Sequence, residues 1–179
     1  MTIRPRLIVI SGLPGSGKST VGRLLAESLE RAAYIEADVL QHFVVAGLEL
    51  ADHNGISDEG RQQLSLRLRN ACLLAKSYVA SGFTAVVDDI VTGRRFEELV
   101  TALGGTEFEF VMLNPDFEVM KARWRRMGSP FAESWDWIDE EIQHDTPRIG
   151  LWIDSTHLTP DETLARIISG LDLEVAATS

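Results

Sequence analysis

Lys18 and Ser19 close the run Gly12-Leu13-Pro14-Gly15-Ser16-Gly17-Lys18-Ser19, which fits the phosphate-binding pattern G-x-x-x-x-G-K-[ST]. Each residue type there has a chemical reason. The glycines let backbone N–H groups curl around phosphate oxygens without a Cβ in the way. A helix that begins inside the run adds unpaired donors and the positive end of its dipole. The Lys18 ammonium is placed to reach β- and γ-phosphates, and the Ser19 hydroxyl to ligate Mg²⁺. Gly12, Leu13, Pro14, Gly15, Ser16, Gly17, Lys18, Ser19 and Thr20 are therefore the expected nucleotide-binding residues.

Carboxylates come next. Thr84-Ala85-Val86-Val87 is an apolar run that ends in Asp88-Asp89. This is the pattern of a strand that delivers an aspartate to the metal's water shell beside the phosphate loop. Either aspartate fits the metal role, and a turn-capping role also fits. Asp38 is the candidate general base, because phosphoryl transfer to a hydroxyl needs a carboxylate to orient that hydroxyl and take its proton. The alternative is that Asp38 caps a helix beginning at Val39. Glu36 alternates with Asp38 along the expected strand, and His42 lies one turn further on. Arg123 and Arg126 are three residues apart, hence on one helix face. They lead into a glycine-containing loop, where guanidinium groups can neutralise charge on a transferring phosphoryl group. Catalysis is thus assigned to Lys18, Asp38, Arg123 and Arg126, and metal binding to Ser19, Asp88 and Asp89. Arg61, Arg67 and Arg69 read as surface charge that could also contact an acceptor. Trp124, Trp135, Trp137 and Trp152 read as packing residues. The turn Asp154-Ser155-Thr156-His157 either caps a helix or meets an adenine ring.

Five apolar segments must hold these residues in place: 6–11, 32–37, 83–88, 108–113 and 151–154. They alternate with helical patterns, which predicts a parallel sheet covered on both faces. Ligands in such sheets bind beyond the carboxyl ends of the strands, and the chemistry-bearing residues fall there. The longest helix is expected from about Asp58 to Ser81, with Leu64, Leu68, Ala71, Cys72, Ala75 and Val79 as its stripe. Asn114-Pro115-Asp116 and Thr159-Pro160-Asp161-Glu162 are helix starts. The loops Gly47–Gly55 and Gly128–Arg148 are long enough to act as binding loops or a lid.

The chain has 179 residues, 45% of them hydrophobic and 25% charged, which suits one soluble domain. Its single cysteine, Cys72, excludes an intrachain disulfide and a cysteine-based zinc cluster. Cys72 reads as a buried structural thiol, and a reduced, cytoplasmic setting is expected. No apolar run reaches the roughly 18 residues of a membrane helix. A formal net charge of −10 disfavours a nucleic-acid partner.

Taken together, the glycine-rich loop, Ile35-Glu36-Ala37-Asp38, Val87-Asp88-Asp89-Ile90-Val91 and the arginine-bearing segment resemble the small P-loop kinases of the nucleoside and shikimate kinase type. Within that group the chain is most similar to the chloramphenicol phosphotransferase-like proteins. The stretch Gln143 to His157 shares their histidine-containing approach to a last strand. The resemblance implies a three-layer α/β P-loop NTPase fold, a five-stranded parallel sheet in the order 2-3-1-4-5, and a helical lid near residues 124–148. It implies transfer of the γ-phosphoryl group of ATP, with Mg²⁺, to a hydroxyl of a small molecule such as an antibiotic or a sugar acid. A monomer or homodimer is expected. Two departures leave the acceptor open. The residues after Asp38 do not reproduce the family's antibiotic-binding segment. Glu36-Ala37-Asp38 also stands where gluconate kinases have Asp-Gly-Asp. A regulatory ATPase and a nucleoside or nucleotide kinase are the rival readings.

Overall fold

The computed structural model describes residues 4–50, 55–126, 128 and 136–176. Five strands, β1 (Leu7–Gly12), β2 (Ala32–Glu36), β3 (Thr84–Asp88), β4 (Glu109–Leu113) and β5 (Leu151–Ile153), form one sheet in the order β2-β3-β1-β4-β5. Every pairing is parallel. The helices are α1 (Lys18–Ser28), α2 (Ala37–Gln41), α3 (Asp58–Ala80), α4 (Arg94–Leu103), α5 (Phe117–Arg126), α6 (Asp136–Glu140) and α7 (Pro160–Gly170). A single π-helical turn, Glu141–Asp145, follows α6.

The unbroken apolar runs of the central strands follow from burial on both faces. In β1, Leu7 and Val9 face one core while Ile8 and Ile10 face the other. The same division separates Val87 from Val86 in β3, and Phe110 and Met112 from Val111 and Leu113 in β4. Residues of α3, α4 and α5 complete the first core; α1 and α7 complete the second. The three layers and the strand order are those expected.

Local boundaries differ from the sequence reading in two places that bear on the site. β2 ends at Glu36, and α2 begins at Ala37, so Asp38 stands in the first turn of a helix and not on a strand. α5 starts at Phe117, outside Pro115; its cap is Asp116, whose Oδ1 accepts from the Val119 N–H at 3.0 Å. Asn114, expected as the cap, instead accepts through Oδ1 from Gln143 Nε2. The start of α7 is as read: Thr159 and Glu162 form a reciprocal capping box with Pro160 in the first turn.

Cys72 is buried in the first core, and burial pushes its thiol up to about 11, so it stays a neutral packing group. No described helix is long and apolar enough to cross a membrane.

Candidate active site

Register places the carboxyl ends of four strands side by side. Ile10 and Glu36 both pair with Asp88, and Gly12 pairs with Leu113. Beyond them the phosphate loop turns into α1. Gly12 has a φ of 149°, and a Cβ there would lie 2.4 Å from the Leu113 carbonyl oxygen, so only glycine fits this close approach. Gly17, at φ 98°, precedes α1 and offers no side-chain cap; the first turn of α1 contains no acid. Its N–H groups therefore face the loop without a competing acceptor, the condition for binding an anion. Lys18 is buried, and its Nζ donates to the Leu13 carbonyl at 3.3 Å. The Ser16 hydroxyl is buried without a partner, an unmet polar group inside the loop. Trp124 of α5 braces the loop from outside: its indole N–H donates to the Pro14 carbonyl at 2.8 Å, and its ring packs edge-on against Phe117. This tryptophan was read as packing, and it packs against the phosphate loop itself.

The adjacent aspartates at the end of β3 part company. Both are buried. Asp88 turns to the face covered by α1: its Oδ2 accepts from the Tyr34 hydroxyl at 2.9 Å, and the Tyr34 ring lies against Gly22 of α1. Asp89 faces the other way, toward α3 and α4. Its Oδ2 accepts from Arg95 Nη2 at 2.9 Å, and its Oδ1 is paired with Arg67 Nη2 and with the backbone N–H of Ile90. Both oxygens of Asp89 are thus committed to cations, which makes Asp88 the aspartate open to a metal site. The sequence could not divide the pair. Strand alternation sends neighbours to opposite faces, but it does not say which face holds the phosphates.

Asp38 is reached through Arg67. Arg67 Nη1 donates to Asp38 Oδ1 at 2.6 Å, while Nη2 holds Asp89. The Arg67 side chain is 8% exposed and that of Asp38 is 74% exposed. The acid is therefore accessible but anchored from below. The expectation of surface charge holds for Arg61, which is exposed and pairs with Asp58, and for exposed Arg69. It is corrected for Arg67. A signal existed: Gly60, Gln63, Arg67, Ala71 and Ala75 are all buried and fall at helical spacing. A guanidinium in an apolar stripe is the anomaly that points to a buried partner. Arg95, also unread, donates through Nε to the Ile90 carbonyl at 2.8 Å. Glu36 turns instead toward Arg23 at 3.6 Å, and His42 is exposed. Gln41, one turn beyond Asp38, is buried with both amide atoms unpartnered.

At the opposite end of the loop, Thr156 knits three elements together. Its hydroxyl accepts from the Asp116 N–H and donates to Asp154, and its carbonyl accepts from Arg123 Nη2 at 3.1 Å. The Thr156 hydroxyl and N–H hold the Asp154 carboxyl below its ordinary range. So the 154–157 turn is self-capped, and Arg123 is docked on it. Arg126 is exposed, with Nε donating to the Ala122 carbonyl. Of the expected lid, residues 136–146 join the body. Ile138 and Ile142 are buried in the first core, Glu141 accepts from Thr92, and Thr146 accepts from the Gly93 N–H. Trp135 and the rest of 129–135 lie outside the described residues.

The donor set also tests the fit to magnesium. Among the described residues no three acids, histidines or cysteines group to hold a metal unaided. That suits a cation which binds through one or two protein oxygens plus substrate phosphates and water. Ser19 at the start of α1 and Asp88 at the end of β3 are residues of that kind. A cleft of about 820 Å³ opens at the opposite edge of the sheet, by Arg6 and Thr84, at the amino ends of the strands. Strand polarity, not cleft size, locates the chemistry.

Residues 8–144 match the family model described as an AAA domain, AAA_18, and the chain belongs to this family of P-loop domains. No curated protein matches. Among solved structures, the tunicamycin resistance protein of Deinococcus radiodurans is similar over 98% of this chain and 100% of its own, at 20% identity and a TM-score of 0.73. The APS kinase of Mycobacterium tuberculosis in complex with AMPPNP and APS is similar over 96% and 99%, at 21% identity and a TM-score of 0.68. A gluconokinase from Sinorhizobium meliloti 1021 follows at 95% and 93%, 21% identity and a TM-score of 0.61. These likenesses establish the three-layer α/β P-loop fold.

Proposed function

We propose that this protein is a small-molecule kinase that moves the γ-phosphoryl group of ATP to a hydroxyl. The observation that carries the reading is the chain Asp38–Arg67–Asp89, which anchors an accessible carboxylate at the end of β3, where the strand ends meet the phosphate loop. Asp38 does not cap α2; its side chain goes to Arg67. A nucleotide switch has no need of such an acid, and an acceptor does.

In this reading the acceptor oxygen attacks the γ-phosphorus, the bond to the ADP oxygen breaks, and the hydroxyl proton passes to the Asp38 carboxylate. Arg67 fixes that carboxylate from below. Lys18 and the N–H groups of the loop hold the phosphates, and Arg123 and Arg126 neutralise charge on the transferring group. When bound, Mg²⁺ neutralises phosphate charge as a Lewis acid, and Ser19 and Asp88 are the residues that would hold it. Arg67 and Arg95 are already matched by Asp38 and Asp89. The reading therefore favours an uncharged hydroxyl compound over a sugar acid, in keeping with the resemblance to chloramphenicol phosphotransferase-like proteins.

The test is a screen of uncharged and acidic hydroxyl compounds with Mg-ATP, with phosphorylated product followed by phosphorus NMR. Acceptor-dependent product is expected; ATP hydrolysis indifferent to every acceptor would favour the regulatory ATPase. Arg123→Ala with Arg126→Ala is expected to cut turnover more than ATP affinity, because the pair acts on charge that develops in the transition state. Parallel kinetics and calorimetry read this split. Equal losses in both would assign the arginines to ground-state nucleotide binding.

A further inference from the structure

The sequence reading gives Tyr34 no role beyond its place in β2, yet its hydroxyl donates to Asp88 Oδ2 at 2.9 Å, and Asp88 is the aspartate left open to a metal. The ring is fixed independently of this hydroxyl. Arg23 lies over one face, 4.8 Å from the centroid, and a Cβ at Gly22 would come within 3.0 Å of the ring edge. The phenol is thus delivered to one spot by packing.

The direction of the hydrogen bond matters. A carboxylate that accepts at Oδ2 keeps Oδ1 outside that bond and is fixed in rotation.

We propose that Tyr34 is a positioning residue for the divalent cation: its hydroxyl holds Asp88 in the orientation that binds the metal with the nucleotide. The inference rests on the Mg-ATP reading above. It extends that reading to a residue of β2 that touches neither phosphate nor acceptor in the argument so far. Outer residues that orient metal ligands commonly cost ten- to a hundred-fold in metal affinity when removed.

Tyr34→Phe deletes the hydroxyl and keeps the ring, its contact with Gly22 and its stacking with Arg23. Calorimetric titration with AMPPNP, once with excess Mg²⁺ and once with EDTA, measures how far the metal enhances nucleotide affinity. The expected result is a fall in that enhancement of roughly ten- to a hundred-fold, with affinity in EDTA within about two-fold of wild type because the P-loop donors are untouched. Three results would overturn the proposal. The first is an enhancement equal to wild type. The second is an equal loss in both media, which would make Tyr34 a structural residue. The third is a larger enhancement, which would make the hydroxyl a competitor of the metal. If wild-type protein bound AMPPNP in neither medium, the nucleotide reading itself would fail and the proposal with it. That outcome is distinct from the other three.

Discussion

Asp38→Asn is expected to lower phosphoryl transfer by roughly 10²–10⁴-fold, the usual contribution of a positioned general base, while Mg-ATP affinity stays nearly intact. The substitution keeps size and removes the basic oxygen. It leaves the buried guanidinium of Arg67 with Asp89, so the anchor below is not orphaned. Product formation from an identified acceptor measures the first effect and calorimetry the second. A wild-type rate in the variant would strip Asp38 of its role, and lost ATP affinity would move it to the metal site. Arg67→Met supplies the complement. Asp89 keeps Arg95, and Asp38, largely in water, is released from its ion pair with Arg67. If Arg67 acts through Asp38, the double variant should be little slower than Asp38→Asn alone, because residues that act as a unit are not additive. Independent, multiplying losses would separate them.

Lys18→Ala is expected to reduce transfer by at least roughly 10²–10³-fold, the cost of removing one preorganised electrostatic group from a transferring centre, and to weaken ATP binding as well. The ammonium is buried against its own loop and held to the Leu13 carbonyl. No other lysine or arginine of the described loop residues 12–20 can replace it. Unlike Asp38→Asn, this variant should lose both affinity and rate. The contrast between the two separates the nucleotide half of the site from the acceptor half. Unchanged affinity and turnover would remove the P-loop from the mechanism.

By itself the sequence determined the phosphate loop, the alternation of strands and helices, and the strand ends as the place for chemistry. These are local or periodic properties. Gly12 to Ser19 form a contiguous loop whose glycines carry the required backbone, and the β1 run from Leu7 to Ile10 is apolar because both faces are covered. Thr159 with Glu162 marks a helix start within four residues. The tertiary structure decided how the charged residues pair. Arg67 lies 29 residues from Asp38 and 22 from Asp89. Tyr34 lies 54 residues from Asp88. Such distances leave no pattern in a single chain. Whether a guanidinium on a helix is solvated or buried depends on which carboxylate the sheet register brings beneath it. Burial makes that pairing decisive, because a charge removed from water must find its counter-charge. The same packing split Asp88 from Asp89, tying one to Tyr34 of β2 and the other, through Arg67, to Asp38.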